Sequence, residues 1–256
     1  MDQPARDHVA SPASVPAVAH AYAERLDDSV KIDGDEGHHL QRVRRIRAGE
    51  TMTIADGYGR WRVYEVADVD AGSLSLRART ELQHERPLEP ALTVACALTK
   101  GDRPELVVQK LTELGVDQIV FVEAERSVVH WNETRAQAAL ERLGRVAREA
   151  GAQSRRARLP NIDGPIRPRD LTAFPGLVVA DATGVTADAL PLPAAAPGAH
   201  AEWWVAIGPE GGFTHQELEG FGDAHRMALG PYGLRADTAA IAAAAALAGR
   251  RHRSAG

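Results

Sequence analysis

The sequence predicts two domains, a small domain of antiparallel β-strands followed by a larger α/β domain with a mainly parallel sheet. From Ser29 to about Leu82, short alternating segments rich in β-branched and aromatic residues are separated by turn residues, which is typical of a small sheet or barrel. After Pro90, apolar runs alternate with amphipathic stretches, as in βα units whose sheet is covered on both faces. With 256 residues, the chain is long enough for one large domain or two smaller ones.

The first domain is predicted over residues 23–83. One helix-like insert, His38–Arg47, interrupts its strands. The strands themselves are separated by glycine-containing turns, at Asp33-Gly34, Asp56-Gly57 and Ala71-Gly72.

Three further segments complete the predicted organisation. Residues 1–22 mix Pro, Ser, Ala and scattered charges without a compact apolar run, so we expect a disordered tail and not a signal peptide. Residues 84–90 carry two prolines among charges, which favours a linker. The α/β domain then spans residues 91–250, and residues 251–256 form a second tail.

Composition limits the classes of function. There are 35 acidic and 30 basic residues, giving a net charge of −5, which argues against a uniformly basic coat for nucleic acid but leaves a local basic surface open. The single Cys96 excludes an internal disulfide and a cysteine-based zinc cluster, so we expect a reducing, cytoplasmic compartment. No HExxH or other metal-ligand spacing occurs, and we expect neither a bound metal nor a membrane span.

Two helix starts have clear signals in the α/β domain. Asp102–Glu105 is a capping box with proline in the first turn, followed by apolar residues expected to face inward and by Gly115 as terminator. Thr214–Glu217 is a second capping box. The inward residues of the first helix are predicted to be Leu106, Val107, Leu111 and Leu114.

Two glycine-rich loops are the main candidates for a ligand site. Gly208–Phe213 joins a buried strand to a helix start, at the sheet edge where ligands bind in parallel α/β folds. Its spacing is neither a dinucleotide fingerprint nor a P-loop, and a tight turn without ligand is the alternative. The second loop, Leu229–Ala239, leads into the last helix, which Asp237 or Thr238 would cap. Arg235 lies beside that helix start, either in a shared ligand pocket or as a surface charge.

Arginines cluster in both predicted domains. The insert His38–Arg47 contains four, and a second group comprises Arg142, Arg145, Arg148, Arg155, Arg156 and Arg158. A spacing of three places Arg142, Arg145 and Arg148 on one helix face, where they either track phosphates or form a solvated surface. Three apolar candidates, Cys96, Trp203 and Trp204, lie on predicted strands and are interpreted as core residues.

Several segments together resemble a known family. They are GHHLQRVRRIRAGE, DGYG, KGDRPELVVQKLTELGV, ERSVV, REAGAQSRRARLP, IGPEGGFTHQEL and LGPYGLRADTA. From about Val30 to Leu247, the chain resembles the RsmE family of ribosomal RNA methyltransferases, in the SPOUT (trefoil-knot) class.

The resemblance implies a PUA-like β-barrel that binds RNA, then a SPOUT methyltransferase domain with a C-terminal knot. It implies a homodimer that uses S-adenosyl-L-methionine to methylate N3 of a uridine, the U1498-type position, in 16S ribosomal RNA of the small subunit. A non-catalytic RNA-binding protein of this fold, or a SPOUT enzyme acting on another RNA such as tRNA, remains an alternative. The first strand departs from the family pattern, because the family usually has a basic residue and aromatics where this chain reads PAVAHAYAERL.

The resemblance also implies roles for individual residues. Arg235 would stabilise charge or orient the substrate. Asp237 stands where the family usually has Glu, which leaves a proton acceptor and a helix cap as its two interpretations. A third loop of the knot corresponds to Asp181–Gly184. Cofactor contacts would come from Ile207, Gly208, Gly212, Leu229, Gly230, Leu234 and Thr238, and RNA contacts from Arg42, Arg44, Arg45, Arg145, Arg148, Arg155 and Arg156.

Overall fold

The computed structural model describes residues 11–101, 103–195 and 200–254. The chain forms two compact units, one of Met1–Pro87 with Gly151–Leu159, and one of Leu88–Ala150 with Pro160–Gly256. The break after Pro87 falls inside the expected linker at residues 84–90. Grouping Gly151–Leu159 with the first unit differs from the continuous 91–250 domain expected from the sequence.

The first unit is built on one six-stranded sheet. Its spatial order is β1-β3-β4-β5-β2, with β6 paired to β4. All pairs are antiparallel except β1 with β3, which run parallel. The strands are β1 (Ala19–Tyr22), β2 (Ser29–Ile32), β3 (Thr51–Ala55), β4 (Arg60–Asp70), β5 (Ser73–Ala78) and β6 (Gln83–His84).

Strand β1 corrects the expected tail at residues 1–22. All four of its residues are buried, and it pairs with β3 along its whole length. His20 bonds through Nδ1 to Thr53 Oγ1 (2.8 Å) and through Nε2 to the carbonyl oxygen of Arg156 (3.1 Å). Tyr22 Oη donates to the same carbonyl at 2.7 Å. Because alanine alternates with the polar rings of His20 and Tyr22, the sequence of this strand lacks the strong apolar pattern that would predict it. Residues 1–10 lie outside the described part.

The helical insert of the first unit is shorter than expected. Helix α1 covers Gly34–Arg42 and not His38–Arg47. Within it, Gly37 packs so closely on the turn between β4 and β5 that an added Cβ would come 2.4 Å from the Gly72 carbonyl oxygen. The chain then turns, with Arg45 at φ 54°, to bury Ile46. Arg44 and Arg45 therefore lie beyond the helix.

The second unit contains a six-stranded parallel sheet, as the sequence predicts. Its order is β12-β10-β11-β7-β8-β9, so β11 lies between β7 and β10. Every pairing is parallel. The strands are β7 (Ala91–Ala97), β8 (Gln118–Val122), β9 (Asn161–Ile166), β10 (Leu177–Val185), β11 (Glu202–Ile207) and β12 (His225–Met227).

Within the described residues, four α-helices accompany this sheet: α2 (Arg103–Glu113), α3 (Glu133–Ser154), α4 (His215–Gly220) and α5 (Ala236–Ser254). On α2, Val107 and Leu111 are buried as expected, but Leu106 is 42% exposed and Val108 takes its place in the core. Asp102, the first residue of the expected capping box, lies outside the described residues. None of the described helices has the length and apolar composition needed to cross a membrane.

Helix α5 extends through most of the expected tail at 251–256. Buried Arg251 explains this, because its guanidinium donates to Asp117 Oδ2 and to the carbonyl oxygen of Gly115, both at 2.7 Å. These bonds hold the last turn of α5 to the loop between α2 and β8. Residues 255–256 are outside the described part.

The core predictions for Cys96, Trp203 and Trp204 are confirmed. All three are buried, and Trp204 stacks on Phe174 with their planes 8° apart. Burial raises the pKa of the Cys96 thiol to about 12, so this group stays protonated at neutral pH and is not a nucleophile.

Candidate functional site

The second unit has a cavity of about 320 Å³ where strands β11 and β12 end and α5 begins, beside the middle of β10. Six of the seven predicted cofactor contacts line it: Ile207, Gly208, Gly212, Leu229, Gly230 and Leu234. The exception, Thr238, does not line it. Ala236 and Ala239 line the cavity instead, because residues three apart share one face of a helix. Thr238 precedes Ala239 by one residue, so its side chain points about 100° away from that face.

The first glycine loop forms one wall and has a tight, defined shape. Gly212 has φ 69° and donates its N–H to the Pro209 carbonyl oxygen at 2.8 Å. A Cβ on Gly208 would lie 3.1 Å from the Phe213 nitrogen, so the loop packs tightly against this position. The predicted capping box follows and is confirmed, because Thr214 and Glu217 exchange side-chain bonds with each other's backbone N–H.

Distant residues brace this loop, and sequence reasoning missed them. Arg103 on α2 makes a 3.0 Å ion pair with Glu210, and Arg126 donates to the carbonyl oxygen of Gly211 at 2.8 Å. Glu217 also accepts from the backbone N–H of Glu125 at 2.8 Å. The loops after β7 and β8 therefore fix the position of the loop after β11.

The second glycine loop forms the opposite wall. Gly230 has φ 152°, and a Cβ built on it meets no atom within 4 Å. Tyr232 and Leu234 line the cavity while 83% and 40% exposed, so they form its rim.

The segment Asp181–Gly184, expected to form a third loop of the knot, instead lies within strand β10, where it supplies a carboxylate to the cavity lining. Asp181 and Ala182 line the cavity. The Oδ1 atom of Asp181 accepts from Thr183 N at 2.8 Å and from Thr183 Oγ1 at 2.6 Å, and Arg226 lies 3.2 Å from Oδ2. These contacts, led by the Thr183 hydroxyl, lower the pKa of Asp181, so it is charged at neutral pH.

Arg235 and Asp237 lie together at the start of α5. Arg235 is exposed, and its Nε is 3.7 Å from Oδ1 of the buried Asp237. The expected capping role of Asp237 or Thr238 is wrong: α5 begins at Ala236, and among the described residues Asp237 Oδ1 has no hydrogen-bond partner. Asp237 instead lies in the first turn, where its charge suits the helix dipole.

The predicted RNA contacts separate into three groups. Arg42, Arg44 and Arg45 are exposed in the first unit. Arg145 and Arg148 are exposed on α3, whereas their expected companion Arg142 makes an ion pair with Glu105.

Arg155 and Arg156 lie in the segment that belongs to the first unit. The Arg155 guanidinium donates to the carbonyl oxygens of Val15 and Ala17, and the Arg156 carbonyl anchors β1. Both residues are half-buried, so this segment holds β1 in place. These two bonds engage part of the Arg155 guanidinium, which has five N–H donors, so the RNA contact of Arg155 stays a prediction.

Comparisons with known proteins cover both units. Residues 85–248 match the family described as RNA methyltransferase domain, and residues 32–78 match the RNA methyltransferase PUA domain. A relative from Mycobacterium bovis, ribosomal RNA small subunit methyltransferase E, is 36% identical over 88% of this chain and 89% of its own length. The protein of the same name from Bacillus subtilis is 29% identical, covering 84% and 88%.

Two solved structures extend the likeness to the fold. A ribosomal RNA small subunit methyltransferase E from Neisseria gonorrhoeae, bound to S-adenosyl methionine, has a TM-score of 0.76 at 25% identity, covering 90% of this chain and 96% of that one. A probable rRNA-methyltransferase from Porphyromonas gingivalis has a TM-score of 0.74 at 27% identity, covering 88% and 95%. The predicted fold class, a PUA-like domain before a SPOUT-type α/β domain, is thereby confirmed.

Proposed function

Because the chain belongs to the ribosomal RNA small subunit methyltransferase E family, we propose that it transfers a methyl group from S-adenosyl-L-methionine to N3 of a uridine in 16S ribosomal RNA. The observation that carries the proposal is the cavity between the two glycine loops, at the carboxyl edge of a parallel sheet. We take the U1498-type position as the target, following the family resemblance.

The residues present fit the cofactor. The cavity volume of about 320 Å³ is within the range of small-molecule sites, roughly 300–1,000 Å³. Its walls are mainly glycine backbone and apolar side chains, including Ile207, Leu229 and Ala239, which suit a flat adenine ring. Asp181 and Glu210 add two carboxylates, which suit the positive charge of the sulfonium and amino groups. Gly212 and Gly230, at positive φ, let the backbone approach without a side chain.

The proposed transfer breaks the bond between sulfur and the methyl carbon and forms a bond from that carbon to N3 of uracil. S-adenosylhomocysteine leaves, and the N3 proton passes to solvent water. Loss of this proton places negative charge on the neighbouring carbonyl oxygens of the uracil. Catalysis therefore needs positioning and a cation near those oxygens.

We assign the cation to Arg235. Its neighbours Leu234 and Ala236 line the cavity, and its side chain is 66% exposed, so it reaches a substrate outside the cofactor. Asp237, 3.7 Å from the Arg235 Nε, orients the guanidinium. Asp237 is thus a positioning residue in this proposal, and its burial at 4% exposure argues against direct contact with RNA.

The RNA would be held by exposed arginines in each unit. Arg42, Arg44 and Arg45 belong to the PUA-domain unit, and Arg145 and Arg148 are one turn apart on α3. Contacts of this kind go mainly to phosphates and position the RNA without reading its sequence. Arg156 contributes through its backbone to the unit that carries the first group.

We further propose a homodimer in the cytoplasm, acting on the small ribosomal subunit. Tyr232 and Leu234 are exposed at the cavity rim, and a second copy that covers them would exclude water from the transfer site. Sedimentation at micromolar concentration tests the dimer. A monomer at that concentration contradicts it.

The experiment for the function compares RNA classes. The protein is incubated with methyl-labelled S-adenosylmethionine and either small ribosomal subunits or tRNA, both from a strain that lacks the modification. We expect label in 16S ribosomal RNA alone. Tight RNA binding with no transfer would favour a non-catalytic RNA-binding protein, and label confined to tRNA would favour a different RNA target.

A variant checks the role of Arg235. Arg235→Ala should lower kcat by about 100-fold while the cofactor Kd stays within twofold, as expected when a preorganised cation is lost. An equal loss of cofactor affinity would mean that Arg235 maintains the pocket and does not act on the substrate.

A further inference from the structure

A second cavity of the methyltransferase unit, about 410 Å³ in volume, has no part in the function above. It lies where β7 ends, between the start of α2 and the first half of α3. Its lining is Thr99, Lys100, Gly101, Pro104, Val129, Trp131, Arg135, Ala138, Ala139 and Arg142.

The lining of this cavity is basic. Among the described residues that line it, three are cations and none is a carboxylate; Asp102 lies outside the described part. Arg142 is neutralised by Glu105. Lys100 and Arg135 are exposed, and neither side chain has a hydrogen bond or ion pair with another described residue. Two cations on one concave surface, without a partner among the described residues, favour an anionic ligand.

An aromatic ring forms part of the same wall. Trp131 is half-buried and packs against Phe121 in the core, with ring centroids 5.3 Å apart. Because Phe121 fixes the ring, the part of Trp131 that lines the cavity is a rigid apolar surface. An aromatic surface beside two cations is the combination that binds a base together with its phosphate.

The position of the cavity connects it to the proposed transfer site. Strands β7 and β11 are neighbours, with Cys96 opposite Ile207, so the loops that follow them leave the sheet side by side. An ion pair between Arg103 and Glu210 links the two cavities. Glu210 lines the first cavity, and Arg103 is the residue before Pro104, which lines the second cavity. The two cavities are therefore adjacent at one edge of the sheet.

We propose that the second cavity is an RNA subsite. It takes a nucleotide next to the methylated uridine, with the phosphate on Lys100 and Arg135 and the base against Trp131. This assignment rests on the proposed methylation of ribosomal RNA. It gives the enzyme a contact with the RNA chain close to the reacting base, in addition to the exposed arginines proposed to hold the RNA.

The test measures RNA binding separately from catalysis. The full chain with Lys100→Gln and Arg135→Gln together is compared with wild type for binding of 16S ribosomal RNA over a range of salt concentrations. We expect an RNA Kd raised about tenfold and a salt slope smaller by roughly one to two, because up to two phosphate contacts are lost. The cofactor Kd should stay within twofold. The matched control is Arg169→Gln, which changes an exposed arginine (86% side-chain exposure) that lines neither cavity.

Trp131 allows an independent test of the same subsite. RNA substituted with 5-bromouridine beside the target should crosslink on irradiation to Trp131, located by mass spectrometry. Trp131→Phe should keep most RNA affinity, and Trp131→Ala should lose about tenfold.

An unchanged RNA Kd and salt slope in the double variant would overturn the subsite, as would crosslinks that avoid Trp131. These readouts need no methyl transfer. A wild-type protein that binds RNA through this cavity but methylates none would refute the proposed function and leave the subsite standing.

Discussion

Gly212 offers a sharp test of the cofactor site. It lines the cavity at φ 69°, and a Cβ built on it meets no atom within 4 Å, so an added side chain enters open space beside the loop. Gly212→Ala introduces the strain of a left-handed residue, about 1–2 kcal/mol, with little bulk. Gly212→Val adds a branched side chain to the same strain and takes up part of a cavity of about 320 Å³.

We expect both variants to lose a few degrees of Tm, because about 1 kcal/mol corresponds to roughly 2–4 °C for a chain of this size. Cofactor affinity should separate them. Isothermal titration with S-adenosylmethionine should give a Kd raised less than about threefold for Gly212→Ala and more than about tenfold for Gly212→Val, a loss above about 1.4 kcal/mol. Gly222→Val is the matched control, at an exposed glycine with φ 55° that has open space around it and does not line the cavity. A Gly212→Val protein that is folded and binds the cofactor as wild type does would remove this loop from the site.

Three further predictions concern the braces, the core and the helix end. Arg126→Ala removes the hydrogen bond to the Gly211 carbonyl oxygen and should raise the cofactor Kd about three- to tenfold. Because the Arg126 side chain is exposed, the free energy of unfolding should fall by less than about 1 kcal/mol. An unchanged Kd would mean that the loop keeps its shape without this bond. Burial lowers the pKa of His20 to about 4 in the folded chain, compared with about 6.5 when it is unfolded. Between these two pH values the unfolded chain binds a proton that the folded chain does not. The free energy of unfolding should therefore fall by on the order of 3 kcal/mol as the pH drops from about 6.5 to 4. Urea unfolding of wild type and His20→Gln should show this fall only in wild type; parallel pH profiles would contradict it. Arg251→Ala should cost about 2–4 kcal/mol in thermal unfolding, because it removes a buried guanidinium together with its bonds to the partly buried Asp117 and Gly115. Arg253→Ala, whose partner Asp188 is exposed, should cost under about 1 kcal/mol. Equal losses would refute the assigned role of Arg251.

The features that sequence predicts well here are local ones. The glycine loops, the capping box at Thr214 and the alternation of apolar strands with helices each depend on residues a few positions apart. Six predicted cofactor contacts line one cavity because both loops follow parallel strands at the same sheet edge. Thr238 does not line the cavity, although its helix neighbour Ala239 does. Which of the two faces the cavity depends on where α5 begins, and the sequence did not predict that residue.

Long-range contacts account for what the sequence did not predict. Strand β1 is short and mixed in polarity, and it is buried because it pairs with β3 and bonds to Arg156, 136 residues away from His20. Arg103 reaches Glu210 across 107 residues and Arg126 reaches Gly211 across 85. Residues at such separations have no spacing rule, so only the folded chain brings them together. Long-range contacts also explain Arg155, which the sequence places in a basic segment. In the structure its guanidinium donates to the backbone carbonyl oxygens near the start of the described chain.

The identity of the methylated nucleoside tests the central claim most directly. Small ribosomal subunits from a strain lacking the modification are treated with the protein and S-adenosylmethionine, and the 16S ribosomal RNA is digested and mapped by mass spectrometry. The account predicts one new methyl group, on N3 of a single uridine, which Gly212→Val adds at least about tenfold more slowly when S-adenosylmethionine is below the wild-type Kd. A methyl group on another atom or another nucleoside, or a wild-type rate with Gly212→Val, would contradict it.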